Sequence, residues 1–115
     1  LCELQKVPNL REAVYVLMAQ LPRGCVTTYG DLAAMAGSPG AARMVGGIAH
    51  YGHEELPWHR LVNREGGLAI GFPGGQDVQL QLLQADDIGC VDYKIDNFGE
   101  RRWRPQDLDL NLRLL

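Results

Sequence analysis

The clearest pattern in the chain is an apolar face at helical spacing near its N-terminal end. The apolar side chains stand three or four positions apart and are Leu10, Val14, Leu17, Met18 and Leu21. Asn9 is a suitable N-cap, and Glu12 stands three positions later, as a capping box requires. Because Pro22-Arg23-Gly24 is a strong helix-ending signal, we predict a first helix over residues 10–21.

Two shorter helical segments follow, separated by a brief turn. Thr28 is a suitable cap with Asp31 three positions later, and Gly37 is a natural C-terminal stop. Ser38-Pro39 then predicts the start of a third helix, with the serine as its cap and the proline at the first helical position. Two short helices joined in this way are typical of a helix-turn-helix.

The segment after the third helix indicates a small β element. Residues 61–63 and 67–70 are β-prone, and they flank a turn at residues 64–66. This spacing predicts a hairpin or wing. The glycine- and proline-rich residues 71–75 predict a tightly turned loop.

The C-terminal third predicts one more helix and a short alternating tail. Residues 76–86 have helical spacing, and we expect three side chains to face inward: Val78, Leu82 and Leu83. In the tail, apolar residues alternate at Val91, Tyr93 and Ile95. The predicted fold is therefore mostly α with a small β-hairpin, and we expect residues 1–115 to form a single domain.

Composition narrows the class of protein. The chain has 115 residues, 46% hydrophobic and 22% charged, which is ordinary for one globular domain. No apolar run approaches the ~20 residues that a membrane span needs, and residues 1–6 lack the apolar stretch of a secretory signal. Because the three cysteines also show no disulfide pattern, we expect an intracellular protein without a membrane partner. Cys2, Cys25 and Cys90 have no disulfide pattern, and His50 with His53 has no nearby cysteine. We therefore expect no metal and no other cofactor.

Charge and side-chain size limit how this chain would bind DNA. Its net charge of −3 argues against blanket neutralisation of phosphates. The third predicted helix starts with small residues, including Gly40 and Ala41, and Arg43 is its only strong cation. This arrangement suits close approach to a narrow groove better than major-groove base recognition. The alternative is that small residues only allow tight packing, which we favour for Ala41, Gly46 and Gly47 taken alone.

Several motifs occur in one order along the chain. They are residues 22–30 (PRGCVTTYG), residues 37–47 (GSPGAARMVGG), residues 57–62 (PWHRLV), and then Gly74-Gly75 and Leu82-Leu83. Together they resemble the C-terminal, DNA-binding domain of the O6-alkylguanine-DNA alkyltransferases. Because Trp58 occupies the position of the reactive cysteine, the chain is most similar to the alkyltransferase-like proteins. The resemblance covers about residues 8–90 and leaves a tail at 91–115.

The resemblance implies a winged helix-turn-helix DNA-binding domain that binds the minor groove and rotates a damaged guanine out of the duplex. It implies that Arg43 enters the duplex and fills the vacated space, and that Tyr29 beside the phosphate helps to push the nucleotide out. Gly40 and Ala41 belong to the same expected DNA-binding surface. The alternatives are an exposed Arg43 in a salt bridge and a core aromatic role for Tyr29 at its helix start. A side chain must hold the gap open, since flipping costs a few kcal/mol.

The resemblance also implies a lesion pocket, with Pro57, Trp58, His59 and Asp86 around it. In the enzymes a histidine and a glutamate, linked through water, generate the thiolate; here Asp86 takes the place of the glutamate beside His59. Asp86 is equally well interpreted as a solvated residue near a helix end. Trp58 is either a pocket wall or a core aromatic at a strand end. For Arg60 we expect a structural role that ties the loop to the body, and a phosphate contact is the alternative.

Three regions depart from the family's pattern. Gly52 is the nearest match to an asparagine expected before the Pro-X-His-Arg turn, and the wing segment 71–73 is atypical. The tail contains the densest basic cluster, Arg101-Arg102-Trp103-Arg104. This cluster is interpreted as a second DNA or partner patch, or as Trp103 docked on the core with its arginines in water.

The leading hypothesis is a non-enzymatic sensor of O6-alkylguanine in double-stranded DNA. The resemblance to the alkyltransferase-like proteins implies that the bound lesion is passed to nucleotide excision repair proteins. We expect a monomer, since the protein would bind one flipped base. One alternative is an active methyltransferase that uses another thiol, but Cys2, Cys25 and Cys90 all lack a preceding proline and a following histidine. The other alternative is a winged-helix regulator, which the single Arg43 and the acidic charge do not favour.

Overall fold

The computed structural model describes residues 9–52 and 55–107. In chain order its elements are α1 (Leu10–Gln20), β1 (Thr27–Thr28), α2 (Tyr29–Met35), α3 (Ala42–His50), a 3-10 turn (Trp58–Arg60), β2 (Leu61–Val62), α4 (Gln76–Ala85), β3 (Cys90–Val91), β4 (Lys94–Ile95) and α5 (Phe98–Arg101). Most ordered elements are helices, and β3 with β4 forms a small antiparallel hairpin. The mostly α fold with a small hairpin is therefore confirmed. Within these ranges, no helix has both the length and the apolar character to cross a membrane.

Helix α1 begins and packs as its sequence pattern predicts. The Asn9 side-chain oxygen accepts a hydrogen bond from the Glu12 amide at 2.9 Å, which satisfies one free amide of the first turn. The inward face buries Ala13, Val14, Leu17 and Met18. The helix ends at Gln20, one residue before the predicted end, because Leu21 already leaves helical geometry ahead of the proline.

Helix α2 is closed at both ends by local hydrogen bonds. The Thr28 hydroxyl accepts from the Asp31 amide at 2.9 Å, as predicted. At the other end Gly37 has a φ of +91°, a conformation that glycine adopts without a steric penalty. The Gly37 and Ser38 amides donate to Ala34 and Ala33 at 3.0 and 2.9 Å, which is the Schellman arrangement.

Helix α3 starts later than its sequence suggested. The Ala41 amide donates to the Ser38 carbonyl at 2.9 Å, and the helix begins at Ala42 without a side-chain cap. The prediction that Ser38-Pro39 opens the helix is therefore wrong. The fixed φ of proline suits the second position of a β-turn as well as a first helical turn, and here the turn forms. Gly40 therefore lies in the turn before α3 and not in the helix.

A short parallel sheet joins the two halves of the molecule. Thr27 of β1 lies opposite Leu61 of β2, and Thr28 lies opposite Val62. On the other side of β1, Val26 forms a parallel bridge with Arg102. The C-terminal segment thus extends the sheet and belongs to the folded unit.

The predicted strand pairing in the wing is wrong. A turn does form, since the Asn63 amide donates to Gly67 at 3.0 Å, but residues 68–70 do not pair with β2. The Leu61 carbonyl instead accepts from the Gln79 side chain at 3.2 Å, while the Leu68 amide donates to Tyr93 at 2.9 Å. The antiparallel hairpin therefore lies at β3 and β4, in the segment that the alternating tail pattern had marked.

Two hydrophobic clusters lie on opposite faces of this sheet. The first contains the inward faces of α1, α2 and α3 together with Leu61 and Trp103. The second contains Val26, Val62, Leu68, Leu83, Ile88 and Ile95. Leu61 and Val62 belong to different clusters because successive strand residues point to opposite faces.

Helix α4 buries a different face from the predicted one. Gln79 and Leu83 are fully buried, whereas Val78 and Leu82 are 37% and 41% exposed. The inward positions of Val78 and Leu82 were therefore predicted wrongly, and only that of Leu83 is confirmed. A glutamine can occupy the buried face because backbone groups satisfy its amide.

Three of the four residues in the basic tail cluster contact the rest of the fold. Trp103 is 4% exposed and packs in the first cluster, which confirms that it docks on the core. Arg101 donates to the Gly24 carbonyl at 2.8 Å, and Arg102 forms a double hydrogen bond with Asp31 at 2.7 and 3.1 Å. The expectation that these arginines sit in water is wrong for both, because the guanidinium group of Arg101 ties the tail to the loop before β1 and that of Arg102 ties it to α2.

Candidate nucleic-acid interface

The Trp58–Arg60 turn is held by hydrogen bonds from distant parts of the chain. Arg60 donates through Nη1 to the carbonyl oxygens of Pro22 at 2.7 Å and Cys25 at 3.3 Å. Gln79 donates to the His59 carbonyl at 3.0 Å from α4. Burial lowers the pKa of Arg60, while the nearby Asp86 carboxylate acts in the opposite direction. These contacts are those of the structural role predicted for Arg60.

A cavity of about 520 Å3 opens beside this turn, where α2, α3, the loop at residues 69–73 and α4 meet. Its walls are mostly apolar and include Phe72, Val78 and Leu82. The two exposed α4 side chains that the sequence pattern had placed in the core therefore line this cavity. Among the described residues, the lining contains no lysine, arginine or carboxylate.

The indole of Trp58 forms one wall of the cavity and also contacts the core. Its ring meets that of Tyr15 edge to face, with centroids 6.0 Å apart and an interplanar angle of 65°. Both rings pack against the first hydrophobic cluster. The two interpretations of Trp58, pocket wall and core aromatic, are therefore combined in one side chain.

His59 and Asp86 are in direct contact. The His59 Nε2 and Asp86 Oδ2 atoms lie 2.6 Å apart, with no room for the water that the resemblance places between such groups. His59 lines the cavity, while Asp86 follows the last residue of α4 and is 41% exposed. Because the carboxylate caps one ring nitrogen, it fixes the orientation of the imidazole at the cavity wall.

Tyr29 and Arg43 occupy different parts of the helix-turn-helix. Tyr29 is the first residue of α2, is half-buried and lines the cavity beside Gly46. Burial raises the pKa of its phenol, which keeps the hydroxyl protonated as a donor. Arg43 is exposed on the first turn of α3, and within residues 9–52 and 55–107 it forms no ion pair. The salt bridge considered for Arg43 is therefore absent from that region.

The structure brings together part of the predicted site. Tyr29, Trp58 and His59 line the cavity, and Asp86 reaches it through His59. Five other predicted residues do not line the cavity. Gly40 and Ala41 lie just before α3, Arg43 lies in its first turn, and Pro57 and Arg60 lie at the two ends of the Pro-Trp-His-Arg turn.

Several contributors to the site were not predicted from the sequence. His50 lines the cavity from the end of α3, and Phe72 and Pro73 line it from the loop. The spacing of Val78 and Leu82 placed them correctly on one helix face but could not show that this face meets a cavity. His53 lies outside the described residues, as does Cys2; the described residues contain no group of His, Cys, Asp and Glu that could hold a metal.

Sequence comparison places the chain in a known family. Residues 9–88 match the family described as "6-O-methylguanine DNA methyltransferase, DNA binding domain". The chain belongs to this family. It is 43% identical over 88 residues to the "DNA base-flipping protein" of Escherichia coli, covering 75% of this chain and 67% of that protein. It is 32% identical over 100 residues to "Alkyltransferase-like protein 1" of Schizosaccharomyces pombe, covering 80% of this chain and 92% of that one.

Solved structures of family members share the fold. The crystal structure of S. pombe Atl1 with damaged DNA containing O6-carboxymethylguanine matches with a TM-score of 0.75 and 30% identity, over 84% of this chain and 95% of that chain. Mycobacterium tuberculosis OGT in complex with DNA matches with a TM-score of 0.64 and 27% identity, over 71% and 51%. The winged helix-turn-helix and the resemblance to alkyltransferase-like proteins are thereby confirmed.

Proposed function

We propose that this family member is a DNA-damage sensor that binds O6-alkylguanine in double-stranded DNA and transfers no alkyl group. The observation that carries the proposal is the Trp58 indole in the cavity wall, within the Pro-Trp-His-Arg turn. An indole does not accept an alkyl group by displacement as a thiolate does. The relatives named for base flipping and as alkyltransferase-like support this function, and the Atl1 complex with damaged DNA supports lesion binding.

The proposed mechanism rotates the damaged base into the cavity. Its volume of about 520 Å3 and its apolar walls suit a flipped base with its alkyl group. Arg43, exposed and without an ion pair in the described part of the chain, is the proposed finger that fills the gap in the duplex. A guanidinium serves here because it can stack on bases and donate to the orphaned partner at once. Tyr29, at the cavity edge, is proposed to act beside the phosphate.

Small residues support the proposed approach to the minor groove. Gly40 is exposed in the turn before α3, and Ala41 follows it with partial exposure. Small side chains let a backbone come close to a narrow groove. A net charge of −3 is compatible with this mode because a few well-placed groups, rather than a broad basic surface, hold the duplex.

His59, Pro57 and Asp86 are proposed to organise the pocket without chemistry. The 2.6 Å contact between His59 and Asp86 orients the imidazole along the wall that Trp58 continues. Without a thiol to activate, the His59 imidazole, whose Nε2 faces the Asp86 carboxylate, is proposed to serve only as a polar group in the pocket wall. Arg60 is proposed to support the turn rather than bind phosphate, since its Nη1 already donates to two carbonyl groups.

The alternative of an enzyme with another thiol gains no support. Neither Cys25 nor Cys90 lines the cavity, and both are half-buried. Burial, together with the Asp96 carboxylate, raises the pKa of Cys90, which makes its thiolate scarcer. Cys2 lies outside the described residues. The alternative of a sequence-reading regulator likewise has no observation in its favour.

The biological setting is proposed on the same basis. A sensor that leaves the lesion intact requires a second system to remove it, and we propose nucleotide excision repair proteins as the recipients of the complex. We also propose an intracellular monomer in which residues 1–115 act as one domain. A single flipped base needs only one cavity, which the described residues of one chain supply.

Lesion binding tests the proposal directly. Matched duplexes with guanine or O6-methylguanine at one position are titrated against the protein at one fixed salt concentration. We expect tighter binding to the lesion, and equal affinity for both duplexes would refute the proposal. Intact-protein mass after the incubation is expected to show no added methyl group; a gain of one methyl would establish an enzyme instead.

The role of Arg43 is tested with a charge-matched control. Arg43→Ala is expected to lower lesion affinity by about tenfold or more, since flipping costs a few kcal/mol that the finger offsets. Arg11→Ala removes the same charge from an exposed position on α1. If both variants lose affinity equally, Arg43 contributes charge only and does not fill the duplex.

A further inference from the structure

Gly52 lies directly against the edge of the Trp58 indole. A Cβ atom at position 52 would lie within 3.0 Å of the ring atoms Cζ2, Cε2 and Nε1 of Trp58. Gly52 is not among the glycines with positive φ, so its backbone conformation does not require glycine. The requirement at this position is therefore steric and comes from the indole.

The indole has little space into which it could retreat. On one side its ring meets Tyr15 edge to face at 6.0 Å, and both rings pack on the first hydrophobic cluster. Protein interiors of this kind resist added atoms because their packing leaves few voids. Gly52 and Trp58 both line the cavity of about 520 Å3, and that cavity is the open direction.

We propose that Gly52 is a specificity-determining residue, which sets the depth of the lesion pocket by letting the Trp58 indole lie back against Tyr15. Any side chain at position 52 pushes the indole forward into the cavity and shortens the space available for the alkyl group. The tryptophan and the glycine are thus a matched pair: beside the Trp58 indole, only glycine at position 52 leaves the pocket deep enough for large uncharged O6 substituents. This inference rests on the proposed lesion binding and concerns the size of the adduct.

The test is adduct-size selectivity in Gly52→Ala. Duplexes carry guanine, O6-methylguanine or O6-benzylguanine at one position. We expect Gly52→Ala to lose about tenfold in affinity for the benzyl adduct, which corresponds to about 1.4 kcal/mol, and clearly less for the methyl adduct. Gly99→Ala, at an exposed helical glycine with nothing within 4 Å of an added Cβ, is the matched control and is expected to bind like the parent. Equal losses for both adducts, or no loss, would overturn the inference.

A second variant removes the clash while keeping the added methyl. Phenylalanine lacks the indole atoms that a Cβ at position 52 would meet, so Gly52→Ala is expected to cost little in a Trp58→Phe background. The resulting double-mutant cycle isolates the coupling between positions 52 and 58. Additive losses would show that the two residues do not act together. This comparison also remains informative if Gly52→Ala alone folds poorly.

A crystal structure of the Gly52→Ala variant would test this inference separately from the proposed function. If the parent protein does not distinguish lesion from guanine, the proposed function fails, but the indole position still tests the steric pairing. We expect the Trp58 ring to be displaced toward the cavity. An indole that stays in place beside Ala at position 52 would overturn the inference even when lesion binding is established.

Discussion

Replacement of Gln79 by leucine tests how one buried amide holds the site together. Gln79 is fully buried on α4. Its Oε1 accepts from the Ala69 amide at 2.8 Å, and its Nε2 donates to the carbonyl oxygens of His59 at 3.0 Å and Leu61 at 3.2 Å. One side chain thus links the cavity loop, the 3-10 turn and β2 to the same helix.

Leucine is close to glutamine in size but offers neither a donor nor an acceptor. The substitution leaves three backbone groups short of a partner, and a hydrogen bond of this kind contributes about 1 kcal/mol net. The added apolar surface offsets part of the loss, while any group left unsatisfied adds to it, so we expect unfolding free energy to fall by about 3 kcal/mol. At about 4 °C per kcal/mol for a chain of this size, Tm falls by roughly 12 °C.

Urea unfolding followed by circular dichroism measures this loss. Gln81→Leu is the matched control, because Gln81 is exposed on the same helix, and we expect it to stay within about 0.5 kcal/mol of the parent. Lesion affinity is then measured well below the unfolding transition, where we expect Gln79→Leu to bind more weakly because the turn is no longer anchored. The reasoning is refuted if both leucine variants lose the same stability.

Three further results are expected. Trp58→Cys places a thiol at the cavity wall, yet we expect weak or no methyl transfer by intact-protein mass, because loss of the indole widens the cavity and leaves the alkyl group without a wall that holds it against the sulfur; robust alkylation would contradict this. Burial, and to a smaller extent the Asp96 carboxylate, raises the pKa of Cys90. We therefore expect iodoacetamide at pH 8 to alkylate Cys90 more slowly than a free thiol, and Asp96→Asn to raise that rate. An unchanged rate in Asp96→Asn would show that the carboxylate does not contribute. Arg102→Ala leaves the Asp31 carboxylate, whose side chain is 12% exposed, without its partner. We therefore expect the free energy of unfolding in urea to fall by about 1 kcal/mol. The fall is expected to be smaller when Arg102→Ala is made in an Asp31→Asn background, and an equal fall there would assign the effect to packing.

Local signals in the sequence were sufficient for the helix ends that depend on local hydrogen bonds. Asn9 and Thr28 cap their helices, and Gly37 closes α2, as predicted. Each of these contacts spans five residues or fewer, so the necessary atoms are already close in the unfolded chain. Ser38-Pro39 was ambiguous for the same reason, because one short sequence suits both a turn and a helix start.

Local signals could not predict which strands pair or which face of α4 is buried. Residues 61–62 are apolar at every position, so their pattern could not show which strand lies beside them. Gln79 offered no apolar signal, and its burial depends on three backbone groups from other segments. Val78 and Leu82 look like core residues because an apolar cavity wall and a core require the same side chains.

The sequence by itself determined the helices, the helix-turn-helix order, the Pro-Trp-His-Arg motif and the family to which the motifs point. These depend on local caps, on spacing along one helix, and on residue identities that need no partner. Only the tertiary structure decided that Arg101 and Arg102 of the basic cluster bind other segments of the chain. It also decided that His59 contacts Asp86 directly, and that Trp58 lies between Tyr15 and Gly52 at a cavity wall. Each of these contacts joins residues from separate elements, and such distances exist only once the two hydrophobic clusters have packed around the sheet.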